Sequence, residues 1–317
     1  MKKIVVLGGG TGLSVLLRGL KQFPLDITAI VTVADDGSSS GRLREEFDIF
    51  AVGDLRNVLV SLSEVEPLIE DLLQYRFVTD SSLNNHPMGN LLLTALYNIT
   101  GNLTESLGSL SKIFNIKGTI LPFTEENPVL IAHTTDGKII EGESNITKAG
   151  KEIDYIEYKN EVKPTKEVIK AIDEADLIIF GIGSLYTSII PNLLSKEVVE
   201  SLKNSKAKKM YVCNIMSEHG ETDNYKVSDC IKKINSYVKE DLMDVVVVNN
   251  KKVPDDIKER YLGETAGQID IDYDVLNDMN VEVIEDELLY ISEKKKVRHD
   301  PYRTALAIFN YIVKELK

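Results

Sequence analysis

Short unbroken apolar runs alternate with helical stripes along most of the chain. Residues 4–7, Ile-Val-Val-Leu, form the first run, and it ends in Gly8-Gly9-Gly10-Thr11-Gly12. Leu13, Leu16, Leu17 and Leu20 follow at helical spacing. That order predicts a buried strand, a glycine turn and an amphipathic helix. A second run, 27–33, follows Pro24 and stops at Asp35-Asp36. Helical patterns follow over 43–47, 58–62, 68–77, 91–99 and 103–114. From 119 the texture changes. Residues 119–122, 129–133, 138–141 and 154–158 are strand-length pieces, separated by turns such as Asp136-Gly137 and Ala149-Gly150. This predicts a small antiparallel β elaboration over 119–162. The strand–helix order returns at Pro164, with a helix over 166–175, strands over 177–180, 210–215 and 245–248, and a helix over 227–238. Residues 258–278 read as irregular, 281–284 and 288–291 as strands, and 304–316 as a closing helix. Strands alternating with helices predict an α/β fold.

Composition narrows the function classes. The chain has 317 residues, 43% of them hydrophobic, enough for one sizeable α/β domain or two smaller ones. No linker composition flanks the β elaboration, so a single domain over 1–317 is expected. Thirty-seven basic residues stand against 50 acidic ones, a net charge of −13. That balance argues against wholesale nucleic-acid or anionic-membrane binding. The lysine clusters at 206–209 and 294–296 read as solvated surface. Cys213 and Cys230 form no CxxC pair, which argues against a zinc site or disulfide framework. No signal peptide is recognisable, and no apolar run approaches the roughly 20 residues of a membrane span. A cytoplasmic protein is expected.

Candidate chemistry gathers where strands end. Gly9, Gly10, Thr11 and Gly12 sit at a strand-to-helix junction, where backbone N–H groups and the helix dipole favour phosphate. The dinucleotide pattern G-x-G-x-x-G is met at Gly8 and Gly10 and fails at Leu13, and no Gly-Lys-Ser/Thr triplet follows. Asp35 and Asp36 end the second strand, at the place of a ribose-binding acid, and suit ribose hydroxyls or Mg²⁺. Beyond them Ser38, Ser39, Ser40, Arg42 and Arg44 offer phosphate contacts, while Ser39 or Ser40 also suits a helix cap. Asp54 is either an N-cap or, with Arg56 and Asn57, part of a site. Asn85, His86 and Asn90 cluster just before a helix and suit a base, a sugar or a phosphate.

A second glycine and hydroxyl turn carries Gly183, Ser184, Thr187 and Ser188, and a third runs from Asn214 to Thr222. Two such phosphate-type loops suggest one extended ligand gripped where the strand order reverses. Glu218-His219 is an adjacent acid–imidazole pair and supplies the general acid/base candidates. Near the end, Arg298, His299 and Arg303 gather positive charge beside Asp300-Pro301, a helix start. Thr304, beside Arg303, is a hydroxyl that could take a regulatory phosphate. Glu125, Glu126, Glu141 and Glu143 read as surface acids.

GGGTG at 8–12, ADDGSSSGRLR at 34–44, GDLRN at 53–57, NNHPMGN at 84–90, GIGSLYTSIIPNLL at 181–194, CNIMSEHGET at 213–222 and RHDPYR at 298–303 together resemble the CofD-like superfamily, named for 2-phospho-L-lactate transferase. The match is nearest to its bacterial YvcK-type branch of gluconeogenesis factors, and it covers the whole chain. The resemblance implies a Rossmann-like three-layer α/β/α sandwich with a mostly parallel sheet. It implies a pocket for a nucleotide-linked ligand over the strand C-termini, and Asp35, Asp36 and Asp54 would be counterparts of acids in the transferase pocket. The expected function is a cytoplasmic regulatory protein that binds a UDP-sugar of the UDP-N-acetylglucosamine type and is required for cell shape and cell-wall synthesis during gluconeogenic growth. The expected ligand site comprises Gly9, Gly10, Thr11, Gly12, Asp35, Asp36, Ser38, Ser39, Arg42, Asn85, His86, Asn90, Gly183, Ser184, Thr187, Asn214, Tyr261 and Arg298. The alternative is an enzyme, a Mg²⁺-dependent phospholactyl-type transferase acting on a nucleotide diphosphate, with Asp36 and Asp54 on the metal and His219 moving a proton. A homo-oligomer and contacts with cell-wall or morphogenesis proteins are expected, and no nucleic-acid partner is.

Overall fold

A computed structural model describes residues 1–64, 67–262 and 266–316. The chain opens with β1 (Lys2–Gly8), α1 (Gly10–Leu20) and β2 (Leu25–Val31), and continues through α2 (Ser38–Phe47), α3 (Gly53–Leu62), α4 (Pro67–Gln74), α5 (Met88–Thr100) and α6 (Leu103–Ile113). Next come β3 (Thr119–Pro122), β4 (Leu130–Thr134), β5 (Ile139–Glu141), α7 (Glu143–Ala149) and β6 (Ile153–Tyr158). The second half runs α8 (Lys166–Asp173), β7 (Leu177–Phe180), a π turn (Leu185–Ile189), a 3-10 turn (Ile190–Leu193), α9 (Lys196–Asn204), β8 (Lys208–Val212), α10 (Val227–Val238) and β9 (Val245–Asn249). It closes with α11 (Asp255–Leu262), α12 (Tyr273–Asp278), β10 (Glu282–Asp286), β11 (Leu289–Ile291), β12 (Val297–His299) and α13 (Pro301–Glu315).

Among the described residues, seven strands form one sheet in the order β10-β9-β8-β7-β1-β2-β3, every neighbouring pair parallel. Parallel strands need helices on both faces, which explains their unbroken apolar runs. In β1, Ile4 and Val6 enter the core that holds α1, α3 and α13, while Val5 and Leu7 enter the one that holds α8, α9 and α10. This is the α/β fold that the sequence pattern predicts, in the α/β/α layering that the resemblance implies. From β1 the chain first builds outward to β2 and β3, then returns to β7 on the other side and builds away again. The strand order therefore reverses between β1 and β7, and the strand C-termini part there to leave a crevice.

Residues 119–122 belong to this sheet and not to the antiparallel elaboration: β3 pairs parallel with β2, Thr28 opposite Thr119. A run of four residues carries no mark of its pairing direction, which is set by the crossover before it. The antiparallel sheet is β5-β4-β6, and its Leu130, Ala132, Ile153 and Ile156 pack into the α8–α10 side of the core. The stretch read as irregular, 258–278, contains the end of α11 and all of α12, both too short to show a clear stripe. Ser39 and Ser40 lie inside the first turn of α2 with Gly37 at the cap position, so neither caps it. The start of α13 is as expected: Asp300 accepts from the N–H groups of Tyr302 and Arg303, with Pro301 at the first helical position.

Candidate functional site

A cavity of about 380 Å³ opens at the crevice beyond β1, β7 and β8. One wall is the glycine turn. Gly10 sits at φ +68°, a backbone conformation open to glycine. A Cβ on Gly12 would collide with the Ile182 carbonyl, so only glycine lets α1 come this close to the turn after β7. Residues 9–12 and residues 183, 184, 187 and 188 thereby line the cavity side by side. The first turn of α1 lines this space, and the Gly10 N–H donates at 2.6 Å to Oδ2 of Asp54, which like Asp35 and Asp36 is not among the cavity's walls.

Asp54 is thus no cap of its own helix. It reaches from α3 to the glycine turn, and burial, then Asp35, push its carboxyl up to about 6. Glu143 joins these acids. It was expected on the surface, but α7 folds back over the crevice and Glu143 lines the cavity. Its carboxyl is pushed up to about 7 by burial first, then by Asp35, Asp54 and Asp36. Asp36 fastens α7 in place by accepting from the Ser144 N–H at 2.8 Å, a contact 108 residues long in sequence. Asp35 accepts from the Gly37 N–H at 2.9 Å. Among the described residues, no three His, Cys, Asp or Glu side chains are grouped as a metal cage.

The second wall is built on Ser184. Its hydroxyl donates to Glu221 and accepts from the Thr187 N–H at 3.0 Å and the Thr187 hydroxyl at 2.8 Å. Glu221 also accepts from the Tyr186 N–H at 3.2 Å. These bonds hold the π turn, a form that recurs at ligand sites. Burial, then Glu218, push the Glu221 carboxyl up to about 7. Burial also raises Glu218, against the pull of Arg298. Asn214 anchors this side by donating to the Gly183 carbonyl at 2.8 Å.

The third side is the β11–β12 hairpin. Arg298 lines the cavity, and its guanidinium donates to the Val297 carbonyl at 2.8 Å. Tyr261 lines it as well, its hydroxyl accepting from the Val297 N–H at 2.9 Å. His299 is buried against the Cys213 carbonyl at 3.1 Å, and burial pulls its pKa down to about 4, so it stands there neutral.

Several residues named from sequence lie elsewhere. Ser39, His86 and Asn90 are buried together: Ser39 Oγ is 2.8 Å from His86 Nδ1, and Asn90 Nδ2 donates to Ser39 Oγ at 3.0 Å. They join α2 to α5 and are not among the cavity's walls. Arg42 is spent on the Ser82 and Asn84 carbonyls, at 3.3 and 2.6 Å. Ser38, the first residue of α2, and Asn85, in a turn, are exposed positions with positive φ. His219 parts from Glu218. Its side chain is half-exposed, pairs with Asp223 at 3.1 Å and stands outside the cavity walls. Thr304 is fully buried, not exposed, and its hydroxyl donates to the Asp300 carbonyl at 2.7 Å. Cys213 and Cys230 are buried free thiols. Among the described residues, no helix is long and apolar enough to cross a membrane.

Sequence reasoning missed Glu143 and Glu221. Glu221 was in view as part of the third polar turn, and its place four residues beyond Ser217 and three beyond Glu218 was the available signal. Glu143 had none, because only the fold brings α7 to the crevice.

A parallel sheet covered on both faces, with two glycine and hydroxyl turns meeting over a polar cavity at its reversal point, defines a Rossmann-like α/β protein with a ligand crevice. The chain belongs to the CofD family: residues 4–289 match the family described as 2-phospho-L-lactate transferase CofD. Within it the chain is one of the gluconeogenesis factors. It is 47% identical over 304 residues to the gluconeogenesis factor of Bacillus subtilis (strain 168), with 96% of each chain covered. It is 45% identical over 308 residues to that of Halalkalibacterium halodurans, covering 97% of this chain and 95% of the relative. The crystal structure of a UPF0052-family protein from Bacillus halodurans matches with a TM-score of 0.93 at 45% identity, covering 98% of this chain and all of that one.

Proposed function

We propose that the protein is a cytoplasmic regulator that binds a UDP-sugar of the UDP-N-acetylglucosamine type, and that it links this ligand to cell shape and cell-wall synthesis during gluconeogenic growth. One observation carries the reading: the glycine turn at 9–12, which opens α1, and the turn at 183–188 pack side by side and line one cavity together with Arg298. The helix-start amides of the glycine turn, the Thr11 and Ser188 hydroxyls and the Arg298 guanidinium suit a diphosphate, and the carboxylates of Glu218 and Glu221 suit ribose hydroxyls and a base N–H. The gluconeogenesis factor name of the relatives supports the physiological setting.

Mg²⁺ fits as a companion of the ligand and not as a resident ion. Asp35 raises the proton affinity of Asp54 and of Glu143, and a divalent cation relieves such a cluster. Mg²⁺ typically takes one or two carboxylates and completes its shell with water and phosphate oxygens. Asp54 with Asp35 or Asp36 would hold it, through the carboxylate oxygens that do not accept from Gly10, Gly37 and Ser144. The ion would neutralise the diphosphate. Isothermal titration of the purified protein with UDP-N-acetylglucosamine, UDP and GDP tests the reading. Micromolar binding of the UDP-sugar is expected. No heat with any UDP-sugar overturns it, and steady turnover of a nucleotide diphosphate with an acceptor replaces it by the transferase alternative.

A further inference from the structure

A second cavity, of about 300 Å³, adjoins the first, and the two share Thr11, Val15, Arg298 and His299 as walls. The first turn of α1 and Arg298 therefore stand between two compartments. The second lies between α1, α3 and the β11–β12 hairpin, and its chemistry differs from the first. Among the described residues no carboxylate lines it. Its polar groups are the amides of Asn57 and Gln74 and the hydroxyls of Thr11, Ser14 and Tyr290. Arg18 is answered by Glu70 at 2.8 Å. His299 is neutral. Tyr290 sits directly opposite Arg298 in the antiparallel pair, and opposite residues project on the same face of a hairpin. The hairpin thus presents a phenol and a guanidinium side by side, Arg298 to both compartments and Tyr290 to the second alone.

We propose that this second compartment takes the glycosyl end of the nucleotide-linked sugar, with the diphosphate lying at the first turn of α1 and the nucleoside in the larger cavity. The inference rests on the UDP-sugar reading and divides that ligand between the two spaces. A hexose presents many neutral hydroxyls and no charge, which matches uncharged amides and hydroxyls beside one aromatic ring. A phosphate in the same place would find Arg298 at the junction and Arg18, whose charge Glu70 already answers. The nucleoside, rich in N–H and O–H donors, matches the carboxylate-bearing side.

The test compares UDP with UDP-N-acetylglucosamine on the full chain and on Tyr290→Ala and Gln74→Ala, two exposed positions whose loss leaves the core intact; unchanged melting temperatures check the fold. In the wild type the sugar nucleotide is expected to bind more tightly than UDP. In each variant the UDP-sugar affinity falls about tenfold toward that of UDP, the loss of one or two hydrogen bonds, while UDP affinity stays the same. Equal weakening of both ligands, or no change in either, overturns the proposal and leaves the UDP-sugar reading standing. A wild type that binds neither UDP nor a UDP-sugar overturns both.

Discussion

The backbone N–H of Gly10 donates to Asp54 Oδ2 at 2.6 Å, tying the glycine turn to a carboxylate 44 residues further along the chain. The turn therefore comes with its own counter-charge. An incoming phosphate meets Glu143 as well as the α1 amides, with Asp54 behind the turn, and Glu143 and Asp54 hold their protons more tightly than free carboxylates do.

Binding of an anionic ligand should accordingly take up protons. A diphosphate placed beside Asp54 and Glu143 raises their pKa values further, so affinity measured without Mg²⁺ should rise as pH falls from 8 to about 6. Titrations in buffers of different ionisation enthalpy read that uptake directly. Added Mg²⁺ should flatten the dependence, and pH-independent affinity without Mg²⁺ would contradict it.

The same acids set the pH dependence of the ligand-free fold. Folded pKa values of about 6 for Asp54 and about 7 for Glu143 and Glu221 lie above the unfolded ones. A carboxyl raised in this way adds stability that is complete below its unfolded value, near 4, and is lost as pH rises through the folded value. The melting temperature should therefore be higher near pH 5 than near pH 8. Asp54→Asn should reduce that difference, with a contribution on the order of 1–3 kcal/mol at stake.

Among the described residues, the Arg298 guanidinium hydrogen-bonds the neighbouring Val297 carbonyl and ties down no distant element. Arg298→Glu should leave thermal stability within about 0.5 kcal/mol of wild type. It should weaken a UDP-sugar at least about tenfold, since a repulsive charge replaces an attractive one where both compartments meet. Calorimetry beside a melting curve separates the two effects.

Ser39 discriminates packing from ligand contact. Its hydroxyl joins His86 and Asn90 in a buried network, and Ser39→Ala leaves both side chains short of a partner. The expected cost is about 1–3 kcal/mol of unfolding free energy by urea titration, with ligand affinity unchanged. A selective loss of affinity at wild-type stability would return Ser39 to the ligand site.

Glu221 should behave in the opposite sense to a surface acid. Glu221→Ala strands the Ser184 hydroxyl and the Tyr186 N–H, and should lower stability by about 2–4 kcal/mol while loosening the π turn. Glu221→Gln keeps an acceptor for one of them and should lie between Ala and wild type.

Much of the fold is legible in the chain because periodicity is a local property. The runs at 4–7, 177–180 and 245–248 lie within β1, β7 and β9, and the turns at 9–12 and 183–188 follow strands as their glycines and hydroxyls imply. The site was legible where it is made of backbone: turns facing a crevice follow from glycine and from strand-to-helix order. It was less legible where side chains decide it. Ser39, His86 and Asn90 are as polar as site residues, and only their burial against one another shows that they hold α2 to α5.

The sequence by itself determined the alternation of strands and helices, the glycine turns and the acid-rich strand ends, because each follows from the conformational range and hydration of neighbouring residues. Only the tertiary structure decided what those groups do to one another. Which neighbour β3 pairs with, that α7 lies over the crevice and turns Glu143 inward, that Glu218 faces the cavity while His219 faces solvent, and that Tyr290 stands beside Arg298 all depend on contacts between residues far apart in the chain. Burial and Coulomb coupling act through space, and a linear pattern does not carry them.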